Sequence, residues 1–103
     1  MPAPFLLTAR REPIPVTIGR VKLGLGLGYW GAGPNPDNLD MVREAESLGY
    51  DSMWTAEAYG SDALTPLAWY GSQTSTMRLG TSIIQLSART PAATAMAALT
   101  LDH

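Results

Sequence analysis

Between Val21 and Trp30 the sequence VKLGLGLGYW alternates leucine with glycine. Leu23, Leu25 and Leu27 fall on one side, and Gly24, Gly26 and Gly28 on the other. A period of two is the mark of a strand, whose successive side chains point to opposite faces. Glycine weakens a strand, so three on one face imply close approach by another group. Either they clear space for a flat ring or they fit the narrow lumen of a closed sheet. The residues leave both readings open. Gly31-Ala32-Gly33-Pro34-Asn35-Pro36 then breaks the pattern.

Beyond this break the period changes. Leu39, Val42, Ala45 and Leu48 recur every three residues and predict a helix over Asp37–Leu48. Asp37 suits the positive end of its dipole, and Gly49 suits the left-handed position past its end. Asp51–Ala58 reads as a second strand, with Glu57 at its carboxyl end and Tyr59–Asp62 as the loop. A second helix is expected over Ala63–Ser75, with Leu64, Leu67, Ala68 and Gly71 on its apolar face. Ser61 or Asp62 can cap it, and Pro66 is tolerated in its first turn. Met77–Leu86 is the third predicted strand and Ser87–Thr90 its loop. Thr90-Pro91 is a cap followed by proline at the first helical position, opening a helix over Ala92–Leu101. Trp54 and Trp69 are expected in the core.

The order β-α-β-α-β-α implies parallel strands joined by crossovers. A doubly wound dinucleotide fold would carry G-x-G-x-x-G between its first strand and helix. Here Gly24-x-Gly26-x-Gly28 lies within the strand and the next turn carries proline. The expected fold class is therefore α/β, the first three βα units of a (β/α)8 TIM barrel. That barrel is incomplete, since closure takes eight units and about 250 residues. Residues 21–103 are assigned to this domain. Residues 1–20, with Pro2, Pro4, Pro13 and Pro15, are expected to be a disordered N-terminal extension.

Composition narrows the partners. The net charge is −2, so nucleic acid is not expected. There is no cysteine, which removes disulfides, thiolate metal sites and thiol nucleophiles. One histidine, His103, and scattered carboxylates lack metal-ligand spacing. Apolar stretches at Leu23–Trp30 and Ala92–Leu101 fall short of the roughly 20 residues of a membrane span. Phe5-Leu6-Leu7 is too short for a signal peptide. A cytoplasmic protein is expected.

The runs LGLGLGYW, EAESLGYDSMWTAEAYGSDALTPLAWYGSQTSTMRLGTSIIQLSARTP and ATAMAALTLDH carry a resemblance. Through them Val21–His103 resembles the luciferase-like monooxygenase superfamily, most closely its branch using coenzyme F420, a deazaflavin. The resemblance implies the N-terminal part of an oxidoreductase that transfers hydride to or from a small organic substrate. Its cofactor, coenzyme F420 or FMN, would lie at the carboxyl-terminal mouth of the barrel. Two alternatives stand beside this: a monooxygenase using FMN and oxygen, and a truncated, inactive or interaction-only fragment. The chain is expected to need the remainder of the barrel or self-association.

The resemblance also implies residue roles. Glu57 takes the place of an acidic residue near cofactor or substrate and is the catalytic candidate; its other reading is a solvated carboxylate at a loop edge. Many relatives follow that acid with histidine, where this chain has Ala58. Ser82-Ile83 matches a bulge that often holds a non-prolyl cis peptide behind the ring. Gly28, Ser82, Ile83 and Gln85 are the cofactor-binding candidates, and Tyr29 and Tyr59 line the substrate pocket. Arg89 would meet a phosphate or lie on the surface, and Trp30 would anchor a loop.

Overall fold

The computed structural model describes residues 21–103. The extension expected over residues 1–20 lies outside the described residues. Three strands, β1 (Gly24–Gly28), β2 (Ser52–Ala56) and β3 (Arg78–Ile83), form one parallel sheet in the order β1-β2-β3. Helices α1 (Asn38–Ser47), α2 (Leu64–Gly71) and α3 (Pro91–Asp102) follow them in turn. The α/β order expected from the sequence is observed, and each unit is the repeating element of a (β/α)8 barrel.

The elements end where sequence signals place chain reversals. Gly49 has φ of +86°, and the amide of Tyr50 returns to the carbonyl of Ala45 at 3.0 Å, which closes α1 in a left-handed cap. Asp62 accepts from the amides of Leu64 and Thr65 at 3.1 and 2.9 Å, satisfying donors that the first turn of α2 leaves free. Thr90 Oγ1 accepts from the Ala93 amide at 3.1 Å, with Pro91 at the first helical position.

The strands are shorter than the sequence pattern suggests. Alternation continues through Val21–Trp30, yet pairing supports only Gly24–Gly28. Asp51–Ala58 and Met77–Leu86 likewise contract to Ser52–Ala56 and Arg78–Ile83, and Leu86 enters a 3-10 turn, Leu86–Ala88. Helix α2 ends at Gly71 instead of Ser75, because the next amides and hydroxyls turn back on α2 or meet Glu46. That carboxylate accepts from the amides of Ser75 and Thr76, both at 2.6 Å, and ties the end of α1 to the start of β3.

The core lies on the outer, helix-covered face. Val42, Ala45, Met53, Leu67, Tyr70 and Met77 are buried together, with Leu25, Leu27 and Leu79 packed against them. Tyr70 stands three residues after Leu67 and fills the place expected for Ala68 and Gly71. The expectation that Trp54 and Trp69 are core is corrected, since they are 41% and 52% exposed. Trp69 is displaced one position from Tyr70 on α2 and turns to solvent. Trp54 lies on the other face of β2, where no described helix covers it. Leu48, expected on the apolar stripe of α1, caps that helix and stays exposed. No helix among the described residues is long and apolar enough to cross a membrane.

Candidate active site at the strand carboxyl ends

Parallel strands place all their carboxyl ends at one edge. Gly28 and Tyr29, Glu57 and Tyr59, and Ser82, Ile83 and Gln85 are therefore brought to one end of the sheet. Both flanking strands carry an extra residue there. Gly26 pairs with Trp54 but Gly28 with Thr55, leaving Leu27 as a bulge. Thr81 pairs with Thr55 but Ile83 with Ala56, leaving Ser82 as a second. Bulges of this kind end pairing and re-aim side chains at barrel rims. The Ser82 bulge expected from the resemblance is present; the cis bond is not, and every described peptide is trans. Ser82 Oγ donates to the Thr55 carbonyl at 3.0 Å.

Glu57 follows β2 directly and is only 7% exposed. Its own amide donates to the Ile83 carbonyl at 3.1 Å. Its Oε2 accepts from the Ala63 amide at 2.8 Å, and Oε1 from the Gln85 amide at 2.5 Å. Arg89 grips both oxygens, Nη1 to Oε1 at 2.6 Å and Nη2 to Oε2 at 2.9 Å. The Asp62 carboxylate lies 3.9 Å from the same Nη2. The Arg89 guanidinium and the Gln85 amide lower the Glu57 pKa to about 2, against the opposing effect of burial. Reciprocally, the Glu57 hydrogen bonds raise that of Arg89. The solvated loop-edge reading of Glu57 is thus corrected. So is the surface reading of Arg89, whose side chain is 19% exposed and paired with a carboxylate.

A second link joins the loops after β1 and β2. The amide of Trp30 donates to Ser61 Oγ at 2.7 Å, and the Ser61 amide returns to the Trp30 carbonyl at 3.0 Å. The Trp30 indole donates to Tyr70 Oη at 3.0 Å and meets that ring edge-on at 6.1 Å. Trp30 is therefore a loop anchor. Tyr29 lies against Gly60 and is 48% exposed, while Tyr59 is fully exposed. Gln85 turns its side chain to Ser87 Oγ at 3.3 Å.

On the inner face the glycines divide into two kinds. A Cβ on Gly24 would lie 2.8 Å from Trp54 Nε1, and one on Gly80 2.6 Å from Trp54 Cε3 and Cζ3. The indole therefore lies across the sheet over both flanking strands, its Nε1 donating to Ser52 Oγ at 2.9 Å. Nearer the mouth, a Cβ on Gly26 would meet nothing within 4 Å, nor would one on Gly28, which follows the bulge and pairs with Thr55. Gly28 also has φ of +64°, a conformation that disfavours a side chain. The close approach expected of a glycine face is thus met at Gly24 by the Trp54 indole. Ile83, a core residue by type alone, is 60% exposed at the edge of this open space.

A groove of about 720 Å3 lies elsewhere. It runs between α2, β3 and α3, lined by Leu67, Leu79 and Leu101 among others, and none of the mouth residues borders it. Sequence reasoning found the strand ends but missed the part played by Arg89, Ser61 and the backbone donors of Ala63 and Gln85. Arg89 is 32 positions from Glu57, and no local pattern links them.

Residues 31–103 match the family described as luciferase-like monooxygenase. A protein of Mycobacterium tuberculosis named "Putative coenzyme F420-dependent oxidoreductase" is 66% identical over 83 residues, covering 81% of this chain and 24% of that protein. The chain thus spans about a quarter of the length of that relative. No solved structure matches.

Proposed function

Because the chain belongs to the luciferase-like monooxygenase family, we propose that it forms one wall of the cofactor site of an oxidoreductase using coenzyme F420. Active sites of (β/α)8 barrels lie at the carboxyl ends of their strands, where loops carry the chemistry. The observation that supports the reading best is the gathering of Gly28, Ser82, Ile83 and Gln85 at the carboxyl edge of the parallel sheet. A flat tricyclic ring fits a surface of glycine backbone and exposed Ile83. The name borne by the relative from M. tuberculosis favours the deazaflavin over FMN.

Such a cofactor carries hydride to or from an organic substrate, and the protein contributes placement. Gly28 leaves room for the ring, and Ile83 offers it an apolar edge. The Ser82 hydroxyl braces β2, and the Gln85 side chain stands beside it. Tyr29 and Tyr59 rim the substrate side. Glu57, the catalytic candidate, holds no proton near neutral pH with a pKa of about 2, so it is not a general acid there. Arg89 is the cation at this end among the described residues and spans both oxygens of Glu57. Further βα units, or association with another chain, would complete the barrel.

Titration with coenzyme F420 and separately with FMN, following ring fluorescence, tests this. Binding of the deazaflavin in preference to FMN is expected. Binding of FMN alone would overturn the choice of cofactor, and binding of neither would overturn the site.

A further inference from the structure

The sheet ladder stops at the pair Ala56–Ile83, and both flanking strands have slipped by one residue before that row. Beyond it the strand ends have no ladder to hold them level. Glu57 takes over that task. Its amide holds Ile83, one carboxylate oxygen holds Gln85, and the other holds the start of α2 through Ala63. Arg89 closes the 3-10 turn Leu86–Ala88 back onto the same two oxygens. Both residues flanking Ile84 are thereby tied to one side chain and its own backbone.

We propose that Glu57 and Arg89 are positioning residues that fix the Ser82–Gln85 segment as the platform for the cofactor ring. This rests on the reading of the mouth as a deazaflavin site. The network accounts for an acid at the end of β2 without proton transfer. It also accounts for an arginine at position 89, because a guanidinium can span two carboxylate oxygens and an ammonium cannot. Two of the five N–H groups of Arg89 go to the Glu57 carboxylate, one from each Nη.

Glu57→Gln keeps the volume but turns an amide donor toward amide or guanidinium donors, and Arg89→Lys replaces the fork by a point charge. The comparison variant is Glu46→Gln, which disturbs the analogous bonds to Ser75 and Thr76 at the opposite end of the sheet. Amide hydrogen exchange at Ala63 and Gln85 and the affinity for coenzyme F420 are measured in each variant, with circular dichroism confirming the fold. In Glu57→Gln, exchange at those amides should rise and ring affinity fall, each about tenfold for one lost charge-assisted bond. Arg89→Lys should shift both in the same direction and by less. Glu46→Gln should raise exchange at Ser75 and Thr76 and leave ring affinity unchanged. Unchanged exchange at Gln85 would overturn the clamp, and raised exchange with unchanged affinity would overturn its positioning role. If the unsubstituted protein binds no ring while its amides respond to Glu57→Gln, the cofactor reading falls and takes the positioning role with it, leaving a structural clamp. Should Glu57→Gln fail to fold, Arg89→Lys decides by the same two readouts.

Discussion

Met53 and Thr55 of β2 point outward into a finished core, whereas Ser52, Trp54 and Ala56 of the same strand face inward to a surface that no described helix covers. Met53 is fully buried against residues of α1 and α2, and Thr55 Oγ1 donates to the Ala63 carbonyl at 2.7 Å. Trp54, between them in the chain, is 41% exposed. The outer face is therefore completed by segments adjacent in sequence, and each βα unit brings its own cover. The inner face is built of glycine, the small side chains of Ser52 and Ala56 and one indole, so its packing depends on what lies over it. The buried core belongs to the first face, and the exposed Trp54 to the second.

The largest expected effect tests the outer face. Met53→Ala removes a fully buried side chain and should cost about 3 kcal/mol, from lost transfer energy and the cavity left behind. Urea denaturation followed by circular dichroism measures it. A loss under about 1 kcal/mol would mean that this face is not the core.

The inner face should respond to added volume and not to its removal. Gly80→Ala would press a methyl against the Trp54 ring, and such overpacking typically costs about 1–3 kcal/mol. Trp54→Ala should remove most of that penalty, so the two substitutions should couple in a double-mutant cycle. Additive effects would show that the indole does not lie over Gly80.

This contrast explains how far the sequence can be read. The order of elements, the Gly49 cap and the Thr90-Pro91 start are legible because they depend on neighbours within one turn. Residues at strand ends can be assigned to one site because parallel pairing puts every carboxyl end at one edge. Strands read from the sequence come out too long because Leu23 and Tyr29 continue an alternation that β2 does not pair with. Residue type alone puts Trp54 in the core, but the outcome depends on which face of the sheet is covered. Tyr70 is hard to single out because glycine and alanine at neighbouring positions of α2 give an equally regular stripe. The partnership of Glu57 with Arg89 joins the second loop to the third, and only the folded sheet brings them together.

The polar link at the mouth gives a dependence on pH with a definite sign. The folded pKa of Glu57 lies at about 2, below the ordinary glutamate value of 4.5. Its contribution to stability is therefore complete above the unfolded pKa and is lost as pH falls from about 4.5 through about 2. Glu46 is also lowered, by the amides of Thr76 and Ser75, and acts in the same direction. The denaturation midpoint should fall across this window, and Glu57→Gln should flatten part of the slope. An equal slope in that variant would mean that Arg89 does not hold the carboxylate in solution.

The smallest expected change in stability distinguishes glycines of one strand. Gly24 lies under Trp54, and Gly24→Ala should be destabilising for the same reason as Gly80→Ala. Gly26, two residues further on the same face, has no heavy atom within 4 Å of where a methyl would stand, and its φ is not positive. Gly26→Ala should therefore be neutral, or stabilising by up to about 1 kcal/mol through reduced freedom of the unfolded chain. The same methyl would intrude on the space assigned to the ring. Affinity for coenzyme F420 should then fall while the denaturation midpoint holds or rises, so the two measurements separate. A clear loss of stability would place another group over Gly26, and unchanged affinity would move the ring away from β1. Either result would remove the distinction between a packed half and an open half of the inner face.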